Sequence, residues 1–144
     1  MREIIVPGTR EGSMEFKRWL ADKHNHPVEF FPEHSYGYGI KDGDDIVLAC
    51  VLQNFHFPGD ILASYFSEDP RVFFSKKLLR KVLYFPFHPP FSANRITIIL
   101  NSKHHRSAEV ALRYGFRGEG ILSHHFGGED ATIFGLLRPR TLEA

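Results

Sequence analysis

The chain has 144 residues, 42% hydrophobic and 24% charged, enough apolar material for one packed domain and too much for a disordered segment. Its 18 Lys plus Arg against 17 Asp plus Glu leave a formal charge of +1, which argues against nucleic acid or another polyanion as the main partner. A single cysteine excludes an intramolecular disulfide framework and a zinc site built on cysteine pairs.

In chain order, residues 3–6 predict a short strand ended by Pro7-Gly8. Ser13 is placed to cap a helix with Phe16, Trp19 and Leu20 on one face and Lys23 near its end. The polar stretch 24–33, with Pro27 and Pro32, reads as loop. Two strands follow over 35–41 and 45–54, turned by Asp42-Gly43-Asp44, and a third over 60–66 after Pro58-Gly59. This is an antiparallel meander. Cys50 lies in an apolar run of the second of these strands and is expected to be a buried small hydrophobe.

The period then changes. Val72, Phe73, Leu79, Val82 and Leu83 are spaced for a helix that starts at Pro70, with Lys76, Lys77, Arg80 and Lys81 on its polar side. Pro86, Pro89 and Pro90 stop it. The run RITIIL over 95–100 looks like a strand buried on both faces. A helix over 106–114, with Val110 and Leu112 inward, closes at Gly115, and strands over 117–125 and 130–138 are joined through Gly127-Gly128. A strand–helix–strand passage from 60 to 100 makes those two strands parallel neighbours. The expected class is α+β: one domain over residues 1–144, with a mixed, mostly antiparallel sheet, one parallel strand pair and flanking helices.

No apolar stretch approaches bilayer length, and the apolar core at 4–6 is too short for a secretory signal, so a cytoplasmic protein is expected. Fourteen Phe and nine His are the unusual counts. His24 and His26 lie two apart, and His104-His105 and His124-His125 are adjacent, so no pair has the i, i+4 spacing that aims two imidazoles from one helix at one ion. No metal site is expected.

The run SAEVALRYGF over 107–116, then RGEGIL over 117–122 and DATIFGLLR over 130–138, resembles the closing pattern of the GNAT-family N-acetyltransferases. The likeness is nearest the branch of ribosomal-protein N-terminal acetyltransferases. It covers about a quarter of the chain, and the element order agrees with it. The resemblance implies acetyl-CoA as cosubstrate and a primary amine, on a protein or a small molecule, as acceptor.

Between the third meander strand and the next helix, the family carries Arg or Gln followed by spaced small residues. Small residues let backbone N–H groups close on the CoA pyrophosphate at a helix N-terminus. Here the segment reads SEDPRVFFSK over 67–76. Arg71 stands at the Arg/Gln position, but Val72, Phe74 and Lys76 fill places expected to be small. Two readings stay open. Tyr65, Phe66, Ser67, Arg71, Val72, Phe73, Phe74, Ser75 and Lys76 hold CoA with altered geometry, or the phosphate site is lost and the fold survives as a non-catalytic scaffold for a protein partner. In length and missing glycines the chain is similar to short GNAT-like proteins of bacteriophages.

Direct acetyl transfer needs a base for the ammonium, an oxyanion donor and an acid for the thiolate, and no nucleophilic Ser or Cys. The family's usual Tyr acid, four residues before the Gly of Gly-Phe, is Ala111 here. The related branch offers a Ser at the start of that helix, which matches Ser107. Asn101 and His104 are placed by the same likeness to hydrogen-bond the pantetheine arm. No residue is singled out as the base.

Overall fold

The computed structural model describes residues 1–57, 59–68 and 75–141. The elements are β1 (Arg2–Ile5), α1 (Arg10–Lys23), β2 (Tyr36–Asp42), β3 (Asp45–Gln53), β4 (Asp60–Ser67), α2 (Lys76–Tyr84), β5 (Arg95–Asn101), α3 (His105–Arg113), β6 (Arg117–Phe126) and β7 (Glu129–Leu137). The strands are hydrogen-bonded in the order β1-β2-β3-β4-β5-β7-β6, with β4 and β5 parallel and the sheet mostly antiparallel, as expected for the α+β class. Among the described residues no helix is long and apolar enough to cross a membrane. The chain divides into two compact units, Met1–Phe55 with Ala63–Phe85, and His56–Leu62 with Pro86–Ala144.

In the first unit α1 packs Phe16, Leu20 and Ala21 against Ala49 and Val51 of β3, with Phe31 completing the cluster. The helix starts three residues before Ser13. Thr9 is the cap: it holds an extended conformation after Pro7-Gly8, and its Oγ1 accepts from the Gly12 N–H at 3.0 Å. Ser13 is instead buried, its Oγ accepting from the Gly37 N–H of β2 at 2.8 Å. That approach requires Gly37, because a Cβ there would stand 2.5 Å from the Ser13 carbonyl and 3.0 Å from Lys17 Cγ. Gly43 turns the β2–β3 hairpin at φ 63°. Helix α2 spans Lys76–Tyr84, preceded by a non-helical Ser75 at φ −87°, ψ 80°. The expected first turn at Pro70, Val72 and Phe73 lies outside the described residues. Leu79, Val82 and Leu83 are the buried face of α2, and the fully buried Tyr38 of β2 donates its hydroxyl to the Val82 carbonyl at 2.6 Å.

In the second unit the parallel pairing joins Asp60–Leu62 to Arg95–Thr97. β5 is buried on alternate residues, Ile96 and Ile98, and not on both faces: Thr97 carries a hydroxyl that donates to Asp60 Oδ1 at 2.7 Å. Helix α3 ends in a left-handed turn at Gly115 (φ 100°), with the Phe116 N–H on the Ala111 carbonyl and the Gly115 N–H on that of Leu112. This Schellman closure buries Phe116 and explains the Gly-Phe pair. It also corrects the expected helix face, since Ala111 and Tyr114 point inward and Leu112 is 56% exposed. In β6 the pairing with β7 slips between Gly118 and Gly120, so Glu119 sits in a bulge.

Candidate functional site

The third meander strand, β4, places Tyr65, Phe66 and Ser67 one after another, and side-chain alternation sends each to an occupied place. The Tyr65 hydroxyl is buried beside the Cys50 thiol and the Tyr38 phenol. Phe66 lies 6.0 Å from the Trp19 ring and edge-on to His24 at 5.7 Å. Ser67 Oγ donates to the Val47 carbonyl at 2.9 Å, and Glu68 pairs with Lys23. These side chains therefore anchor β4 within its own unit. Among the described residues, however, β4 pairs with β5 only over Asp60–Leu62.

Arg71, Val72, Phe73 and Phe74 lie outside the described residues. Ser75 and Lys76 are exposed at the start of α2. Ser75 is the N-cap residue and makes no side-chain capping bond, and the first turn holds Lys76 and Lys77 with no acidic residue. Lysines here are opposed by the positive end of the helix dipole, an arrangement that an anion stabilises. Arg80 is turned aside, 4.2 Å from the Tyr84 ring centre.

In the second unit Ser107 is the third residue of α3, exposed, with no hydrogen bond from its hydroxyl among the described residues. The residue before the helix is His104, exposed and without a side-chain capping bond. Asn101 ends β5 with Oδ1 accepting from the Lys103 N–H at 3.0 Å. Its amide also serves Glu129, whose carboxyl Lys103 holds 3.0 Å away and below the usual carboxylate range, first through the Lys103 bond and then through Asn101. Asn101 is thus committed to its own loop, whereas Ser107 is open to a ligand. Ala111 is buried at 4% exposure and supplies no acid.

Burial pushes the Cys50 thiol up to about 12, and raises both Tyr38 and Tyr65 well above the ordinary phenol value. A neutral, inaccessible thiol is no nucleophile. Among the described residues no group of three or more His, Cys, Asp or Glu side chains could hold a metal ion.

The trio Tyr38, Cys50 and Tyr65 has no signature in the sequence, since it forms only when β2, β3 and β4 lie side by side. The paired lysines at the start of α2 were visible, but as the polar side of a longer helix.

No protein-family model matches the sequence, and no curated protein does. Solved structures do. A mutant form of the spermidine/spermine N-acetyltransferase SpeG from Vibrio cholerae superposes with a TM-score of 0.72 at 13% identity, covering 95% of this chain and 95% of that one. The ribosomal-protein-S5-alanine acetyltransferase from Vibrio fischeri gives a TM-score of 0.69 at 13% identity, over 94% of this chain and 92% of that one. Both are GNAT acetyltransferases, and the fold of this chain is theirs.

Proposed function

We propose that this chain is an acetyl-CoA-dependent N-acetyltransferase that passes the acetyl group directly to a primary amine of a protein or small molecule. The observation that carries the reading is the start of α2, where Ser75 makes no side-chain capping bond and the exposed first turn holds Lys76 and Lys77, a place that an anion such as the CoA pyrophosphate would complete. Acetyl-CoA is the cosubstrate in this reading, and the GNAT fold is its context.

In the transfer the amine lone pair attacks the thioester carbonyl, the new C–N bond forms, and the C–S bond breaks. The amine gives up its proton to a base or water, and the departing thiolate takes one. Ser107, with its free hydroxyl, is the residue we assign to deliver that proton. Asn101 and His104 border it as pantetheine contacts, Asn101 through whatever its loop bonds leave. The acceptors named for the two structural neighbours, spermidine or spermine and an alanine of ribosomal protein S5, set the amine classes to try first.

Isothermal titration of the purified protein with acetyl-CoA tests the reading. Binding with Kd on the order of 1–100 μM is expected. No heat at millimolar acetyl-CoA overturns it and leaves the scaffold for a protein partner.

A further inference from the structure

At the start of α1 lies a cavity of about 350 Å³, lined among others by Thr9, Arg10, Ser13, Lys17, Glu33 and His34. Lys17 is the unusual member. It is only 5% exposed, and its ammonium makes one hydrogen bond, to the Ser35 carbonyl at 3.3 Å. An ammonium carries three donors, and none of the described carboxylates is within ion-pair distance of this one. Its two remaining donors face the cavity, where an acceptor from outside the chain would meet them.

The rest of the wall has the same bias. Thr9 and Ser13 each accept a backbone N–H, from Gly12 and Gly37, which leaves each hydroxyl proton to be given away. The 14-residue helix α1 directs its positive end here. Acceptors on the wall have partners of their own. Glu33 is engaged by Arg10 at 3.4 Å, the Ser35 hydroxyl donates to the Pro32 carbonyl, and the Tyr36 hydroxyl donates to the Pro7 carbonyl. Burial, then the charge of Arg10, pulls the Lys17 ammonium down from the usual lysine range, with Glu33 opposing them.

We propose that this cavity binds a small oxyanion, the carboxylate or phosphate group of a ligand, with Lys17 as its central donor and Arg10, Thr9 and Ser13 around it. The site is built wholly within the first unit and does not depend on acetyl transfer.

The test titrates the full chain with inorganic phosphate and, separately, with acetate, following amide shifts by NMR at ionic strength held constant with chloride. Saturable shifts at Ser13 and Gly37 are expected with at least one anion. Phosphate alone marks a phosphorylated ligand, acetate alone a carboxylate, and either supports the site. Lys17→Met should weaken the binding about tenfold or more and Arg10→Gln a few-fold, while Arg18→Gln, which changes a cation lining a different groove, should leave it unchanged. Thermal unfolding of Lys17→Met confirms that the variant is folded. No saturable shift up to about 20 mM of either anion, or equal affinity in folded Lys17→Met and Arg10→Gln, would overturn the proposal.

Discussion

Arg95 grips Glu119 with both arms of its guanidinium, Nη2 to Oε1 at 2.7 Å and Nη1 to Oε2 at 3.2 Å. The bulge at Glu119 between two glycines aims the carboxylate out of the β6 ladder toward β5, where Thr97 and Asp60 hold the Arg95 Nε at 3.2 and 3.4 Å. The Gly-Glu-Gly string is therefore an architectural device. Gly135 of β7 completes it, since a Cβ there would stand 2.5 Å from Glu119 Oε2.

Gly135→Ala should consequently push the Arg95 and Glu119 side-chain ends aside and lower the urea midpoint by no more than loss of the pair does, about 0–1 kcal/mol. Glu119→Gln should cost about the same, because the pair is partly exposed. Arg95 holds the Glu119 carboxyl below its ordinary value, first through the hydrogen bond and then through its charge. The unfolded chain thus takes up this proton first as pH falls. The stabilisation is present above about 4.5 and fades as pH drops through the lower folded value, and Glu119→Gln should flatten that fall. An unchanged acid limb in urea titrations would exclude the pair as its source.

Ser13→Ala removes the acceptor of the Gly37 N–H inside the first unit. A buried donor left unmet costs about 1–3 kcal/mol, read as a loss of chemical stability. Thr9→Ala, at the true cap, should cost about 0.5–2 kcal/mol. A larger effect at Thr9 than at Ser13 would reverse the assignment of cap and buried bridge.

Alkali should unfold the protein early. Cys50, pushed up to about 12, and the raised phenols of Tyr38 and Tyr65 keep their protons in the fold longer than in the unfolded chain. The folded state therefore binds more protons, and stability declines as pH rises above about 9, the ordinary thiol value. A thiol reagent at pH 8 should leave the native chain unmodified and label it fully in denaturant. Rapid native labelling would show that the thiol is accessible.

For catalysis, Ser107→Ala should reduce kcat about tenfold or more with little change in acetyl-CoA affinity. Lys76→Gln with Lys77→Gln should do the opposite, weakening acetyl-CoA about five- to tenfold at similar kcat. Steady-state kinetics with titration calorimetry separates the two, and identical patterns would remove both assignments.

Much of this fold is written in local signals. Gly43 and Gly127 turn hairpins at φ 63° and 67°, and Gly115 closes α3, because few other residues hold a left-handed backbone. The helix starts were harder to read. Ser13 and Thr9 are both good caps by type, and the choice depends on β2 arriving at Gly37, a partner 24 residues away. On α3 the larger apolar residue, Leu112, faces outward, because the Schellman turn orients Ala111 inward. At the candidate site, the role proposed for Ser107 rests on likeness alone. Lys17 has no local signal for a physical reason: a lysine two turns into an amphipathic helix looks solvated until a strand closes over its stem.

The phenol of Tyr38 on the Val82 carbonyl has a mechanical consequence. That carbonyl lies in the last turn of α2, and its partner is fixed in a strand, so the bond acts as a pin against axial sliding and rotation of the helix. A helix pinned at its far end presents Lys76 and Lys77 at a set height. Tyr38→Phe would draw that pin while keeping the ring, and leave the height of that first turn to drift.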